Sequence, residues 1–126
     1  MSVDTFETRI GRIDDAIALR KPDRVPFFPT YHLFPARYVG MTYQEAFYDQ
    51  ERWLAAFEKA ILDHDPDLYF QPGAAIAASG AAHEALDNKQ IHWPGHGVAA
   101  HRTFQFIEGE YMQAEEYDEF LEDPSD

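Results

Sequence analysis

The chain of 126 residues contains no cysteine. That absence excludes disulfides, thiolate zinc sites and cysteine nucleophiles together, and it fits a reducing compartment. Basic residues are scarce: 10 Lys and Arg stand against 23 Asp and Glu, a formal net charge of −13 with a pI of about 4.6. So acidic a chain repels phosphate backbones and anionic membrane surfaces, so neither nucleic acid nor a membrane is an expected partner. No apolar run approaches the roughly 18–20 residues that span a bilayer, and the opening MSVDTFETRIGR lacks the basic-then-apolar order of a secretion signal. The expected location is the cytoplasm.

What is present is enough to build a core, with 45% hydrophobic and 15% aromatic residues in a length suited to one domain, 1–126. The negative charge gathers at one end. Residues 107–126 carry nine Asp or Glu and no Lys or Arg, and this acidic terminal segment reads as a solvated helix face.

Phe6, Ile10, Ile13 and Ile17 follow the four, three, four spacing of one helical stripe, which predicts a helix from Thr5 to about Leu19. Asp4 and Glu7 have the spacing of a capping box, and Pro22 closes the helix. Val25 to Thr30 then reads as a short buried strand with proline at its start and finish. The Arg20–His32 stretch, with prolines at 22, 26 and 29, is thus a joint between a helix and a strand.

Beyond a loop from Tyr31 to Gly40, Thr42 and Glu45 form a second capping box, and Asp49 begins a helix striped by Trp53, Leu54, Phe57 and Ile61. Leu68 to Phe70 is a second strand, stopped by Gln71-Pro72-Gly73. Ala74 to Leu86 suits either a tightly packed helix or a loop, His92 to Gly97 a turn, Phe104 to Ile107 a strand, and Gln113 to Leu121 a last helix stopped by Pro124. The alternation of helix and strand predicts an α/β fold with parallel strands, which need both faces covered.

Several of these blocks carry a family resemblance. AIALRKPDRVPFFP (16–29), GMTYQEAFYDQERWLAAFEKAILDHDPDLYF (40–70), IHWPGHGV (91–98), FQFIEGEYM (104–112) and EEYDEFLEDPSD (115–126) resemble, in order, the uroporphyrinogen decarboxylase superfamily, in the branch containing corrinoid-dependent methyltransferases. The resemblance implies a (β/α)₈ barrel of about 250 residues or more, of which this chain would be the N-terminal part, incomplete alone. It also implies an enzyme that transfers a methyl group between a corrinoid cobalt and a thiol or related acceptor, with zinc activating the acceptor. The zinc ligands would lie beyond Asp126, the corrinoid on a partner, and neither would be bound by this chain alone. Expected partners are the remainder of the barrel or a corrinoid protein, and a small-molecule substrate.

Barrel enzymes hold reactive groups at the C-terminal ends of their strands. The two predicted strands deliver Tyr31, His32 and Gln71 to that face, and Arg37-Tyr38 matches the end of the family's arginine-rich, carboxylate-binding loop. Substrate contacts are therefore expected from Tyr31, His32, Arg37, Tyr38 and Gln71. YHLFPARY supplies one arginine where the decarboxylases have two, and Gln71 follows the second strand where they have aspartate, so true uroporphyrinogen decarboxylation is the more distant alternative. A non-catalytic interaction subunit of a split barrel is the other.

Two further groups of residues have simpler readings. His92, His96 and His101, with His83 nearby, suggest a metal, but Pro94-Gly95 prevents His92 and His96 from sharing a helical face, and no metal site is expected. Asp23 and Arg24 are read as internal polar contacts of the joint, the first accepting from backbone amides and the second bracing a helix.

Overall fold

A computed structural model describes residues 4–71, 77–109 and 112–123. Within them six helices and a small sheet occur in the order α1 (Phe6–Ile17), α2 (Phe34–Tyr38), α3 (Tyr43–Tyr48), α4 (Gln50–His64), α5 (Gly80–Ala85), β1 (Ile91–Pro94), β2 (Gly97–Val98), β3 (Gln105–Phe106) and α6 (Glu116–Glu122). The fold is mixed α/β, with helices predominating.

The caps account for the helix starts. Thr42 accepts the Glu45 amide while the Glu45 carboxylate takes the Thr42 amide, the reciprocal arrangement read from the sequence. Asp49 closes α3 and opens α4 by accepting from the Arg52 amide at 3.0 Å. For α1 the expected Asp4–Glu7 box does not form. Thr5 is the cap, accepting from Thr8 at 3.2 Å, because the Asp4 carboxylate is engaged by Arg12 and Arg24.

The core sits where α2 and α3 pack on α4. Trp53, Ala56, Phe57 and Ala60 make the buried stripe of α4, and they meet Tyr31, Ala36, Met41, Ala46 and Ala77. The spacing is helical: of the predicted stripe Trp53 and Phe57 are buried and Ile61 packs against the core, while Leu54 is 44% exposed and Ala56 and Ala60 complete the buried face. Small residues let α2 and α3 approach the α4 backbone closely.

Of the three predicted strands, only Phe104–Ile107 belongs to the sheet, as β3. Val25–Thr30 and Leu68–Phe70 carry no ladder, yet they lie side by side: the Asp67 amide donates to the Phe27 carbonyl at 2.8 Å, the Phe27 amide donates to the Asp67 carboxylate at 2.7 Å, and the Phe28 and Phe70 rings are 4.8 Å apart. Pro26 and Pro29 have no amide to give, so two donors of a regular ladder are missing from the first segment.

The sheet instead centres on β1, in the order β2-β1-β3, with β1 parallel to β2 (Trp93 opposite Gly97) and antiparallel to β3 (Ile91 opposite Phe106). The expected turn at 92–97 is thus the start of a tight two-strand link, closed by the Gly95 amide donating to the Val98 carbonyl at 2.7 Å. Gly95 and Gly97 adopt φ of +79° and +105°, which glycine tolerates and other residues avoid. Gln113–Leu121 shortens to α6, and of Ala74–Leu86 only α5 is helical among the described residues; Ala74–Ile76, Pro72 and Gly73 lie outside them.

The joint is fixed by a buried ion network. Arg12, 3% exposed in the middle of α1, donates to both oxygens of Asp23 at 2.6 and 2.8 Å, pairs with Asp4 at 3.0 Å and reaches the Asp67 carboxylate. Arg24 forks onto the same Asp67 at 2.7 Å for each bond. Asp23 also accepts from the Arg24 amide at 2.9 Å, the role the sequence suggests for it, whereas Arg24 engages Asp67 and Asp4 instead of bracing the next helix. The bonds from Arg12 lead in lowering the Asp23 pKa to about 2. For Asp67, burial opposes ionisation, but the Phe27 amide, Arg24 and Arg12 together outweigh it and hold its pKa below the usual value.

Candidate functional site

Four of the five expected substrate residues divide among three environments around α2, and Gln71 lies apart from them. Pro35 in its first turn presets the backbone, and the Phe34 amide donates to the Tyr31 carbonyl at 2.8 Å, so the loop residues 31–33 turn directly into the helix. This turn carries Tyr31 inward and leaves His32 outside.

Tyr31 is buried in the core. Its ring stacks on Phe34 at 5.9 Å, meets Phe57 edge-on at 5.8 Å and lies 5.9 Å from His64. Its hydroxyl is buried without a hydrogen-bond partner, and that burial raises its pKa. The expected contact role is therefore displaced: Tyr31 supports the wall of a cleft. His32 is exposed and has φ of +44°, a left-handed conformation that reverses the chain between Tyr31 and α2.

Arg37 and Tyr38 share one open cleft of about 560 Å³ with Leu33, Phe34 and Tyr43. Phe34 and Tyr38 stack at 5.4 Å, one turn apart on α2, and His64 lies 5.6 and 5.1 Å from them. The Tyr38 hydroxyl donates to Asp63 at 2.9 Å, and that bond, with burial second, raises its pKa. Lys59 Nζ also bonds Asp63 at 2.7 Å and stands 5.8 Å from the Tyr38 ring centre. Arg37, by contrast, makes no side-chain bond to another described residue, although Asp and Glu are abundant. A free guanidinium beside two half-exposed aromatic faces can hold a planar anion, the charge on the arginine fork and the ring on Phe34 and Tyr38.

Gln71 is elsewhere. It borders a second cleft, of about 660 Å³, between α1 and the segment after α4, with Phe6, Ile10, Leu62 and Tyr69 among its walls. Arg9 spans that cleft, donating to the Pro66 carbonyl at 2.7 Å and the Asp65 carboxylate at 2.7 Å. Of the five expected residues, the structure thus unites Arg37 and Tyr38 in one cleft, buries Tyr31 against Phe34, leaves His32 exposed and sets Gln71 on a different cleft.

The histidines do not gather. His83 stacks on Trp93 at 5.0 Å and His96 on Tyr48 at 4.5 Å, and among the described residues no group of three or more His, Asp or Glu side chains could hold a metal. No helix among the described residues is long and apolar enough to cross a membrane.

Sequence reasoning missed Arg12 and Asp67. The available signal was an arginine placed at mid-helix beside the apolar stripe, with DHDPD lying at the end of the next long helix. Comparisons with family models, with curated proteins and with solved structures find no match to the chain.

Proposed function

We propose that this chain is the N-terminal part of a uroporphyrinogen decarboxylase-like (β/α)₈ enzyme of the methyltransferase branch, contributing the first two barrel segments and one wall of the substrate pocket. The observation that carries this reading is the pairing of 25–30 with 66–70 through Phe27 and Asp67, since two neighbouring segments joined by helices are what adjacent barrel strands require. They share one backbone bond among the described residues, and in this reading the rest of each edge would pair with strands of the complementary part.

In this reading Arg37 anchors an anionic group of the substrate and Phe34 and Tyr38 hold its apolar part, with His32, exposed on the preceding loop, a further contact. Zinc would activate the methyl acceptor as a thiolate, on ligands supplied by the complementary part of the barrel. The residues described here orient and bind; they do not activate.

The reading is tested by co-expressing the chain with a complementary chain that carries candidate zinc ligands, and assaying the purified complex for methyl transfer from methylcobalamin to a thiol. A stable complex with zinc-dependent transfer is expected, with Arg37→Ala raising KM more than it lowers kcat. A complex with no transfer from any corrinoid donor would remove the enzymatic reading.

The second reading, an interaction subunit of a split barrel, is favoured by one observation. Phe6, Ile17, Leu19, Val25 and Leu62 are each more than 70% exposed, and Val25 adjoins the unpaired segments. It predicts the complex without the activity.

A further inference from the structure

None of the residues of α6 is buried: all seven, from Glu116 to Glu122, are exposed. Its apolar residues nevertheless fall in one stripe, with Tyr117, Phe120 and Leu121 exposed to 51%, 50% and 76%. Helical spacing sets Glu116 and Asp118 on the two flanks of that stripe. So short a helix has little stability of its own in water, and an apolar stripe along it is a surface for packing.

The same chain carries the complement. In the cleft of about 560 Å³ on α2, Phe34 and Tyr38 are 43% and 42% exposed, and Arg37 makes no side-chain bond to another described residue. Residues 107–126 hold nine carboxylates and no Lys or Arg, and Asp118 likewise bonds no described side chain. Two exposed rings and an unanswered cation thus have their match in two exposed rings and an unanswered carboxylate. Surface is available for such a contact. A compact protein of 14.5 kDa exposes about 6,900 Å², whereas this chain exposes 9216 Å², an excess larger than the roughly 800 Å² each partner gives to a standard interface.

We propose that α6 of one copy docks in the α2 cleft of a second copy, and reciprocally, so that two copies close each other's clefts. Tyr117 and Phe120 lie on the faces of Phe34 and Tyr38, and a flanking carboxylate, Asp118, takes the fork of Arg37. The contact is of the helix-in-groove kind, and its two-fold repetition makes a closed dimer. Where the cleft is the substrate site of the function proposed above, α6 competes with substrate for Arg37; that regulatory consequence rests on the reading, the docking does not.

Sedimentation velocity of the full chain tests it, from low to high micromolar concentration at about 0.15 M salt, where the mutual repulsion of two acidic chains is screened beyond about 8 Å. The parent should pass from monomer to dimer. Arg37→Glu spoils the cleft and Phe120→Asp spoils the helix, and each should raise the dissociation constant about tenfold or more. Both side chains are free or half-exposed, so in dilute solution both variants should melt with the parent. Mixed together, the Arg37→Glu chain still offers α6 and the Phe120→Asp chain still offers the cleft, so one of the two contacts returns and a mixed dimer tighter than either variant's own should form. A parent that stays monomeric, a dimer that either substitution leaves intact, or a mixture no tighter than its components overturns the proposal. No turnover is measured, so such a failure leaves the methyltransferase reading standing, and a chain without methyl transfer leaves the docking standing.

Discussion

Asp67→Ala should be the most damaging single truncation in the joint. The Asp67 side chain has no solvent exposure, and it accepts from the Phe27 amide and from both Arg12 and Arg24. Alanine leaves an arginine side chain only 1% exposed without one of its three carboxylates, and it leaves the Phe27 amide with no acceptor. Breaking a buried pair from one side costs about 3–5 kcal/mol, because the remaining charge stays desolvated. Against a total stability of about 5–15 kcal/mol for a domain, that loss moves the unfolding midpoint far, or abolishes folding near physiological temperature. Urea unfolding followed by the fluorescence of buried Trp53 and Trp93 measures it, and an unchanged slope would assign the effect to stability. A pH series adds a second arm. Asp23, with a folded pKa of about 2, and Asp67, held below its ordinary value, both contribute stability that is present above the unfolded pKa and is lost as pH falls through the folded one. The Asp67→Ala chain should therefore lose less stability over that acid interval than its parent. A midpoint within about 1 kcal/mol of the parent, with the same acid profile, would refute the account of the network.

Other perturbations read other parts of the chain. Tyr31→Phe removes a buried hydroxyl that has no partner, so thermal unfolding should show a stability equal to the parent or higher by up to about 1 kcal/mol; a clear loss would mean that the hydroxyl is satisfied in solution. Thr42→Ala deletes one side of the capping box and should cost about 1 kcal/mol in chemical denaturation, with hydrogen exchange rising first at the amides of α3. Gly80→Ala drives a methyl group into the Tyr48 ring and should cost about 1–3 kcal/mol despite alanine's better helix propensity; an equally stable variant would show that the ring moves freely aside. Arg37→Ala touches no described partner, so its denaturation midpoint should match the parent's even where ligand binding is lost.

The parts of the fold legible in the sequence were those decided within a few residues. Thr42 with Glu45, Asp49 with Arg52, and Trp53 with Phe57 each act over one helical turn, so spacing alone reveals them. The strands were harder, because a ladder needs a partner whose register lies far away. Val25–Thr30 has strand composition but two prolines and one backbone bond, while His92–Gly97 reads as a turn and its first part, in Ile91–Pro94, becomes the centre of a sheet once Phe106 and Gly97 arrive beside it. The candidate site was half visible. Arg37 and Tyr38 are adjacent in sequence and share a cleft, but no local pattern foretells that the turn after Tyr31 buries that ring and exposes His32.

The ion network also imposes an order of events on a growing chain. Arg12 lies in the first helix, yet the carboxylate that completes its burial is 55 residues further along. Until residue 67 has been synthesised and has come free to fold, α1 has only Asp4 and Asp23 to answer its central charge, and both are local. The N-terminal helix should therefore dock late, after the α2–α4 core has formed, although it is made first.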